Sequence, residues 1–356
     1  MSKYAITVLP GDGIGREVTA QAVKVLKAAC DVFAFDLTMR EVDWGYNLYK
    51  ATNKVVPDDF LEQLKEGQAI FLGALGVPGI VPEHVSTGPI ITIRQAFDQY
   101  VSLRPAKLYP NVSTPLANKK PGDIDILFVR ENTEGEYLKV GTTFREGLPA
   151  EVALQTAIHS RFGVSRILRY AFALAAGRPR RHLTMATKSN ALGYGMGLWD
   201  RLLEEIKPEY PNVQVDKWHV DAMCMHLVIR PEIFDVVVAS NLFGDILSDL
   251  GGAISGSLGL APSSNINPDG KYPSMFEPVH GSAPDIAGQD KANPLAAILA
   301  AAMMIDFLGE KEAAAAIDRA VEESLARARV RTQDLGGTAT CTQVGRDIVE
   351  RILKLK

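Results

Sequence analysis

The sequence has 356 residues, of which 47% are hydrophobic and 22% are charged, and its formal net charge is −4 at pH 7. The chain is long enough for two domains or one large α/β unit. Its acidic balance gives no electrostatic reason to expect nucleic acid or an anionic membrane as a partner. No apolar run approaches the ~20 residues that span a bilayer, and the N-terminus lacks a signal-peptide pattern. Cys30, Cys224 and Cys341 lie far apart without a CxxC motif, so we expect reduced thiols and a cytoplasmic location.

Strand-like and helix-like patterns alternate along most of the chain. Short apolar runs predict strands, and apolar residues at helical spacing predict helices. The predicted strands cover residues 4–9, 69–72, 101–108, 124–129, 183–187, 213–218 and 234–239, and a mixed strand ends near residue 45. The predicted helices cover residues 17–34, 58–65, 89–100, 220–229, 241–249, 294–308 and 311–327. This alternation predicts a largely parallel sheet with helices on its faces, and residues 251–293 predict a long glycine-rich loop region.

Two acidic residues lie four positions apart just after the predicted strand at 234–239. Asp245 and Asp249 share one face of the predicted helix, about one turn apart. Two carboxylates that close repel each other unless a positive charge lies between them, and a divalent cation bound through oxygen would supply that charge. A solvated helix face with two unrelated acids would give the same pattern.

Asp221 opens the predicted helix at 220–229. It either serves the helix N-terminus or adds a third carboxylate to a Mg²⁺ or Mn²⁺ site that water and substrate would complete. The six histidines lack the spacing of metal ligands, so the sequence does not predict a zinc site.

Arg94, Arg104 and Arg130 stand out among the basic residues for their placement. Arg130 closes the predicted strand at 124–129, and ligands of parallel-sheet proteins bind at the C-terminal ends of strands. Because guanidinium groups grip carboxylates through paired hydrogen bonds, three converging arginines would suit a di- or tricarboxylate. Taken singly, each is more often an ordinary surface arginine.

Two further residues are candidates for proton transfer. Lys188 ends another buried strand, where desolvation lowers the pKa of a lysine, and Tyr137 follows Arg130 by seven residues. Either side chain could move protons if it faces a cleft. A surface lysine and a core tyrosine are the alternatives.

Two glycine-rich segments indicate close backbone approaches. Gly11-x-Gly13-x-Gly15 follows a strand, but Arg16 stands where a dinucleotide fingerprint needs its third glycine, so we expect a tight turn and no Rossmann site. Residues 277–294 hold too much Gly, Pro and Ser for the interior of a helix or strand. Such a loop can wrap a planar ring and hydrogen-bond a ribose through an acid such as Asp285, although a plain surface loop has the same composition.

Together these segments resemble the β-decarboxylating dehydrogenases, the family of isocitrate, isopropylmalate, homoisocitrate, tartrate and D-malate dehydrogenases. The resemblance covers nearly the whole chain, through the segments at 11–17, 103–105, 130–137, 187–190, 241–249, 277–288 and 334–338. It implies an isopropylmalate-dehydrogenase-like α/β fold with two interleaved domains and a central cleft. We therefore expect a discontinuous cofactor-binding domain of residues 1–100 and 251–356, and a substrate, metal and dimerisation domain of residues 101–250.

The resemblance also implies a homodimer with shared active sites. Asp245 and Asp249 would hold Mg²⁺ or Mn²⁺ with Asp221 from the second subunit, which would also supply Lys188 as the base, and Tyr137 would donate a proton. NAD is the expected cofactor because Asp285 would repel a 2′-phosphate, and a K⁺ requirement stays open. Arg94, Arg104 and Arg130 would bind the substrate carboxylates beside Thr87 and Ile90. The remaining expected cofactor contacts are Glu277, His280, Gly281, Ser282, Ala283, Ile286 and Asn293.

The substrate pocket combines features of several subgroups. The segments at 43–45, 97–100, 147–149 and 196–200 are most similar to tartrate and D-malate dehydrogenases. Arg94, however, occupies the register of isopropylmalate and isocitrate enzymes, and Ile90 stands where isopropylmalate enzymes contact the substrate's alkyl group. We expect a tartrate or D-malate dehydrogenase, with a 3-alkylmalate as the alternative and isocitrate or homoisocitrate less favoured. A non-catalytic relative would have lost some of the catalytic and metal-binding residues, and none is lost.

Overall fold

A ten-stranded mixed sheet runs through the protein in a computed structural model that describes residues 2–356. The strands are β1 (Lys3–Gly11), β2 (Asp36–Glu41), β3 (Ala69–Ala74), β4 (Val101–Lys107), β5 (Asp125–Glu131), β6 (Gly141–Phe144), β7 (Val152–Gln155), β8 (His182–Thr187), β9 (Gln214–His219), β10 (Val236–Ala239), β11 (Pro262–Ile266) and β12 (Ser274–Pro278). The helices are α1 (Ile14–Phe33), α2 (Tyr46–Thr52), α3 (Phe60–Lys65), α4 (Glu83–Ala96), α5 (Arg161–Gly177), α6 (Gly195–Ile206), α7 (Val220–Ile229), α8 (Asn241–Ile254), α9 (Leu295–Phe307), α10 (Lys311–Arg327) and α11 (Cys341–Leu353). None of the helices in residues 2–356 is both long and apolar enough to cross a membrane.

The strand order of the large sheet is β2-β1-β3-β12-β11-β4-β5-β10-β8-β9. The pairs β12–β11, β11–β4 and β4–β5 are antiparallel, and the other neighbours run parallel. The prediction of a largely parallel α/β sheet is therefore confirmed for the two outer regions. The middle of the sheet is antiparallel because β11 and β4, which lie between the two parallel regions, each run antiparallel to both of their neighbours.

The glycine-rich stretch at 251–293, for which the sequence predicts a loop region, contains two strands. β11 and β12 lie there, and every residue of both strands is buried. Their buried residues include Ser263, Ser264 and Asn265, so the apolar signature of a buried strand is missing. The expectation of an irregular segment was wrong for these two strands.

The helix near Arg94 also differs from its predicted bounds. The sequence predicted residues 89–100 by taking Pro89 as the first helical residue, which is proline's favoured place. α4 instead begins at Glu83, carries Pro89 in its interior and ends at Ala96. The chain then turns through Asp98, whose φ is +43°, before β4 begins. α2 and α5 were not predicted.

Apolar side chains form three buried clusters. The first surrounds α1, α9, α10 and α11, and α9 is buried nearly all round because its sequence is apolar on every face. A smaller cluster joins β3 to α4. The second large cluster packs α5 and α6 against β5, β8 and β10, and it comes almost wholly from residues 100–254. This partition supports the predicted domain division, which stays a prediction.

A separate two-stranded sheet, β6 with β7, extends from the chain between β5 and α5. All eight of its residues are exposed. Phe144, Val152 and Leu154 each expose more than half of their surface (56%, 56% and 54%), as does Leu148 in the connecting loop (59%). An isolated hairpin with this much apolar surface is only marginally stable in water.

Candidate active site

Arg130 lies at the C-terminal end of β5, where the first turn of α8 passes over it. The guanidinium is 1% exposed, and its Nε and Nη2 donate to Asn241 Oδ1 at 2.9 and 2.7 Å while Nη1 donates to Asp245. This approach requires Gly244, because a Cβ there would lie 2.7 Å from the Arg130 Cβ. Gly244 therefore lets α8 pack directly against Arg130, whose side chain is fully buried.

Three side chains of the candidate site donate hydrogen bonds to Asp245. It accepts hydrogen bonds from Arg130, from Arg104 Nη1 at 3.0 Å, and from the Tyr137 hydroxyl at 2.6 Å. Burial favours the neutral acid, but Arg130, Arg104 and the Tyr137 hydroxyl outweigh it and hold the pKa of Asp245 below its usual value. Asp245 is thus an anion under physiological conditions.

Asp249 lies one turn further along α8, on the same face as predicted. Its Oδ1 accepts from Arg104 Nη1 at 3.2 Å, and its side chain is 62% exposed, against 30% for Asp245. Burial raises the pKa of Asp249, and repulsion from Asp245 adds to that rise although Arg104 opposes it. The two acids share an arginine, so they are not two unrelated acids on a solvated helix face.

Tyr137 is held in its protonated form. Burial, the hydrogen bond to Asp245 and the charge of Asp245 together raise the pKa of the Tyr137 hydroxyl to about 12. Arg130 lies over its ring, 5.2 Å from the ring centroid to the guanidinium carbon. A phenol in this state is a proton donor and not a base at neutral pH.

The cavity nearest to these residues is small and basic. It measures about 190 Å³, the volume of about six liquid water molecules, and its lining includes Ile90, Arg94, Arg104, Glu277 and His280. Arg94 Nη2 donates to Glu277 Oε1 at 3.0 Å, and both side chains are 11% exposed. The Nε–H groups of Arg94 and Arg104 are buried without a partner. Two orphaned guanidinium donors at one cavity are the donor set of an anion site.

Thr87 and Ile90 lie on α4 but border different cavities. Ile90 lines the arginine cavity. Thr87 lines a neighbouring cavity of about 600 Å³ together with Gly281 and Ser282, and its hydroxyl donates to the Glu83 carbonyl at 2.8 Å. The helix that carries Arg94 thus separates the small basic cavity from a larger, mostly apolar one.

The predicted cofactor residues spread over three cavities. Glu277 belongs to β12 and pairs with Arg94, so it lies at the arginine cavity and not in the loop. Gly281 and Ser282 line the larger cavity. His280, Ile286 and Asn293 line a third cavity of about 410 Å³ with Asp334, which accepts from Asn293 Nδ2 at 2.9 Å.

The loop after β12 carries the other two predicted cofactor residues. Ala283 has a φ of +37° at the turn, and Asp285 is exposed. Burial lowers the pKa of His280, which is therefore neutral.

The glycine turn at residues 11–15 packs against this loop. Ile14 N–H donates to the Ser282 carbonyl at 2.8 Å, and a Cβ on Gly13, whose φ is +54°, would overlap that carbonyl oxygen. A Cβ on Gly11 would overlap the Ala74 carbonyl in the same way. The prediction of a tight turn with a close backbone approach is confirmed.

Gly13→Ala is expected to lower the free energy of unfolding by about 1–3 kcal/mol, because alanine is strained at positive φ and meets the Ser282 carbonyl. Denaturant unfolding measures the change. Gly177→Ala is the matched control, since its Cβ meets nothing within 4 Å and its backbone is not left-handed. Equal stability of the two variants would contradict the close approach.

Lys188 and Asp221 form a pair of their own. Lys188 Nζ donates to Asp221 Oδ1 at 2.7 Å, and the Asp221 side chain is 66% exposed. The hydrogen bond from Lys188 is the main cause of a lowered pKa at Asp221. Within residues 2–356 of one chain, no three His, Cys, Asp or Glu side chains are grouped to hold a metal. One chain therefore supplies the Asp245–Asp249 pair without Asp221.

Two polar residues at the site were missed in the sequence. Asn241 orients Arg130 through the contacts given above and donates its Nδ2 to the Glu134 carbonyl at 2.9 Å. Ser248 accepts from Arg104 Nη1 at 2.9 Å. Both lie within the segment that carries Asp245, and their helical offsets of four and three residues from it put them on its side of α8.

Comparison with known proteins places the chain among dehydrogenases. Residues 5–348 match the family described as isocitrate/isopropylmalate dehydrogenase. The chain is 50% identical to the D-malate dehydrogenase [decarboxylating] of Escherichia coli, over 99% of this chain and 100% of that protein. It is 49% identical to a 3-isopropylmalate dehydrogenase of Thermobifida fusca, over 98% and 97%, and 47% identical to a tartrate dehydrogenase/decarboxylase of Pseudomonas putida, over 99% and 98%.

A solved structure shares the fold. The crystal structure of isocitrate dehydrogenase from Methylococcus capsulatus superposes with a TM-score of 0.88 at 36% identity, covering 99% of this chain and all of that one. The expected isopropylmalate-dehydrogenase-like α/β fold is confirmed by this likeness.

Proposed function

The chain belongs to the isocitrate/isopropylmalate dehydrogenase family and is a decarboxylating hydroxy-acid dehydrogenase, and we propose that it oxidises D-malate or tartrate with NAD and a divalent metal ion. The observation that carries the proposal is the small cavity lined by Arg94 and Arg104: the Nε–H groups of both are buried without a partner, and Arg104 Nη1 also donates to Asp245. A substrate with two carboxylates would satisfy both arginines at once. Its 2-hydroxyl would then lie toward the acids of α8.

Ile90 lines the arginine cavity, which measures about 190 Å³, and an alkyl branch on the substrate would lie against that isoleucine. That isoleucine is the observation in favour of the second candidate, a 3-alkylmalate such as 3-isopropylmalate. Sequence identities of 50%, 49% and 47% to the relatives named above do not separate the two candidates.

Asp245 and Asp249 suit a hard divalent cation. Both offer carboxylate oxygens, the ligands that Mg²⁺ and Mn²⁺ prefer, and the lowered pKa of Asp245 keeps it ionised. When bound, the ion supplies Lewis-acid polarisation of the substrate's hydroxyl and, after oxidation, of its oxo group. We assign the third carboxylate, Asp221, to a second copy of the chain.

The chain's own side chains then have distinct tasks. Arg94, Arg104 and Arg130 bind and orient the substrate carboxylates, although Arg130 acts largely by fixing Asp245. Lys188 accepts the proton of the substrate's 2-hydroxyl, and NAD, when bound, would supply the acceptor for the hydride that leaves C2 of the substrate. Tyr137, protonated because its pKa is raised to about 12, holds the proton that the carbon skeleton needs once CO₂ has left.

Exposed apolar surface supports a homodimer that completes this site. Met225 and Ile229, on the helix of Asp221, are 50% and 61% exposed, and Ile246, next to Asp245, is 51% exposed. The hairpin of β6 and β7 adds further apolar surface. Patches of this kind mark protein–protein contacts, and a two-fold contact over α7 and α8 would bring each Lys188–Asp221 pair to the other chain's Asp245.

NAD is the proposed cofactor, bound along the loop after β12. The residues proposed to contact it are His280, Gly281, Ser282, Ala283, Asp285, Ile286 and Asn293, with Glu277 at the junction with the substrate. Asp285 is exposed at the loop, where a carboxylate accepts hydrogen bonds from ribose hydroxyls and repels a 2′-phosphate. The 600 and 410 Å³ cavities on either side of Ser282 and His280 give room for the two halves of a dinucleotide.

An NADH-formation assay with Mn²⁺ tests the substrate assignment. The panel comprises D-malate, the tartrate isomers, 3-isopropylmalate, isocitrate and homoisocitrate. We expect the highest kcat/KM with D-malate or a tartrate and at least about 10-fold lower values with the alkylmalate. A preference for 3-isopropylmalate would transfer the assignment to the second candidate.

A further inference from the structure

Asp200, on α6, hydrogen-bonds the residues on both sides of Lys188. Thr187 Oγ1 donates to Asp200 Oδ1 at 2.8 Å, and Ser189 Oγ donates to Asp200 Oδ2 at 2.7 Å. Lys217 on β9 donates to the same Oδ2 at 2.7 Å. The Asp200 carboxylate thus accepts hydrogen bonds from the residues immediately before and immediately after Lys188, and none of its three hydrogen bonds comes from Lys188 itself.

The Lys188 backbone is fixed from a second direction. Its carbonyl accepts from the N–H groups of Ala191 and Leu192 at 3.0 and 2.8 Å, which closes a turn directly after β8. Thr187 is 1% exposed, so the end of β8 is packed inside the protein. Because the backbone of Lys188 is held on both sides, its side chain moves mainly by rotation about its own bonds. Its Nζ donates to Asp221 Oδ1 at 2.7 Å.

Anchoring of α6 does not explain these bonds. The helix already buries Met196, Trp199, Leu202, Leu203 and Ile206, which form part of the core around α5 and β8. Asp200 is on its polar side, with the carboxylate 18% exposed. Its hydrogen bonds oppose the effect of burial and keep the carboxyl ionised, with a lowered pKa. An ionised carboxylate can accept hydrogen bonds from the hydroxyl groups of Thr187 and Ser189 and from the ammonium group of Lys217 at the same time. The single oxygen of an amide accepts them less well.

We propose that Asp200 is a positioning residue for Lys188, holding the turn at 187–189 so that the side-chain nitrogen Nζ is aimed at the substrate's hydroxyl. This inference rests on the proposed role of Lys188 as the base. A shift of the Lys188 backbone moves the point from which its side chain starts, and misplacement of a reacting group by about 1 Å costs about 10²-fold in rate.

Kinetics of four variants test the proposal. Asp200→Asn is expected to lower kcat about 10- to 100-fold with KM for the hydroxy acid changed less than about 2-fold, because substrate carboxylates are bound elsewhere. Ser189→Ala, which removes only one of the two hydroxyl bonds, should give a smaller fall in kcat. Lys217→Met is the matched control: it removes the ion pair of Asp200 but leaves both hydroxyl bonds, so kcat should stay within about 2-fold of wild type.

The decisive comparison is a double-mutant cycle with Lys188→Ala. If Asp200 acts through Lys188, adding Asp200→Asn to Lys188→Ala changes the residual kcat less than about 2-fold. An equal fall in both backgrounds, or an unchanged kcat in Asp200→Asn and Ser189→Ala alike, overturns the positioning role. Full activity of Lys188→Ala itself overturns the proposed base, and the inference falls with it; the single variants therefore separate the two failures.

Discussion

Asp245→Asn is expected to lower kcat at least about 10³-fold in the presence of Mg²⁺ or Mn²⁺, the effect of removing a charge that stabilises the reacting centre. Three side chains converge on this carboxylate, namely Arg104, Arg130 and Tyr137. The amide keeps the shape and one acceptor oxygen, so Arg130 stays hydrogen-bonded and the fold survives. Its loss of charge removes both the metal ligand and the anion that raises the pKa of Tyr137.

The measurement is steady-state NADH formation over a wide range of metal concentration, together with thermal unfolding. Asp58→Asn is the control, since Asp58 pairs with Lys54 four residues away on an exposed surface and its side chain is 85% exposed. That variant should match wild type in both rate and stability. Wild-type turnover in Asp245→Asn, at ordinary metal concentrations, would remove Asp245 from the site.

Mixing two inactive variants is expected to restore activity. In the proposed shared site, Lys188→Ala and Asp245→Asn are each expected to retain only a small residual turnover when pure. In a randomly mixed dimer population about half the dimers are hybrids, and one of the two sites in each hybrid is intact, so about a quarter of the wild-type activity should return. The expectation rests on the proposed homodimer; in residues 2–356 of one chain, Lys188 pairs with Asp221 and no three acids are grouped to hold a metal.

The result depends on where the two residues meet. The variants are denatured together, refolded and assayed, with separately refolded variants and Asp58→Asn mixed with Asp245→Asn as controls. If Lys188 and Asp245 of the same chain formed one site, every site in every hybrid would carry a mutation. No recovery after verified mixing would therefore contradict the shared site.

The sequence was sufficient for features that depend on local pattern. α7 and α10 have the bounds that their apolar spacing predicts, and Asp245 and Asp249 share a helix face because their separation is close to one turn. The tight turn at Gly13 was likewise recognisable, since its glycines follow a strand and precede a helix. In each case neighbours in sequence decide the structure.

Features that depend on contacts between residues far apart in the sequence were not predicted. β11 was hidden because its buried Asn265 donates to Glu277 at 2.8 Å and accepts from Asn132 at 2.9 Å, and no local pattern foretells that a polar residue will find such partners. Glu277 was assigned to the cofactor loop, whereas its strand brings it to Arg94. The start of α4 was misplaced because Pro89 is tolerated inside the helix. The bracket that Asp200 forms around Lys188 joins residues eleven to thirteen positions apart, beyond the reach of helical spacing.

The most direct test of the proposed reaction is to measure NADH and CO₂ together during oxidation of D-malate by the purified protein with Mn²⁺ and NAD. We predict that both form in equal amounts, that chelation of the metal stops both, and that NADP in place of NAD slows both at least about 10²-fold through repulsion at Asp285. The absence of NADH and CO₂ from D-malate, from every tartrate isomer and from 3-isopropylmalate would contradict the proposed reaction.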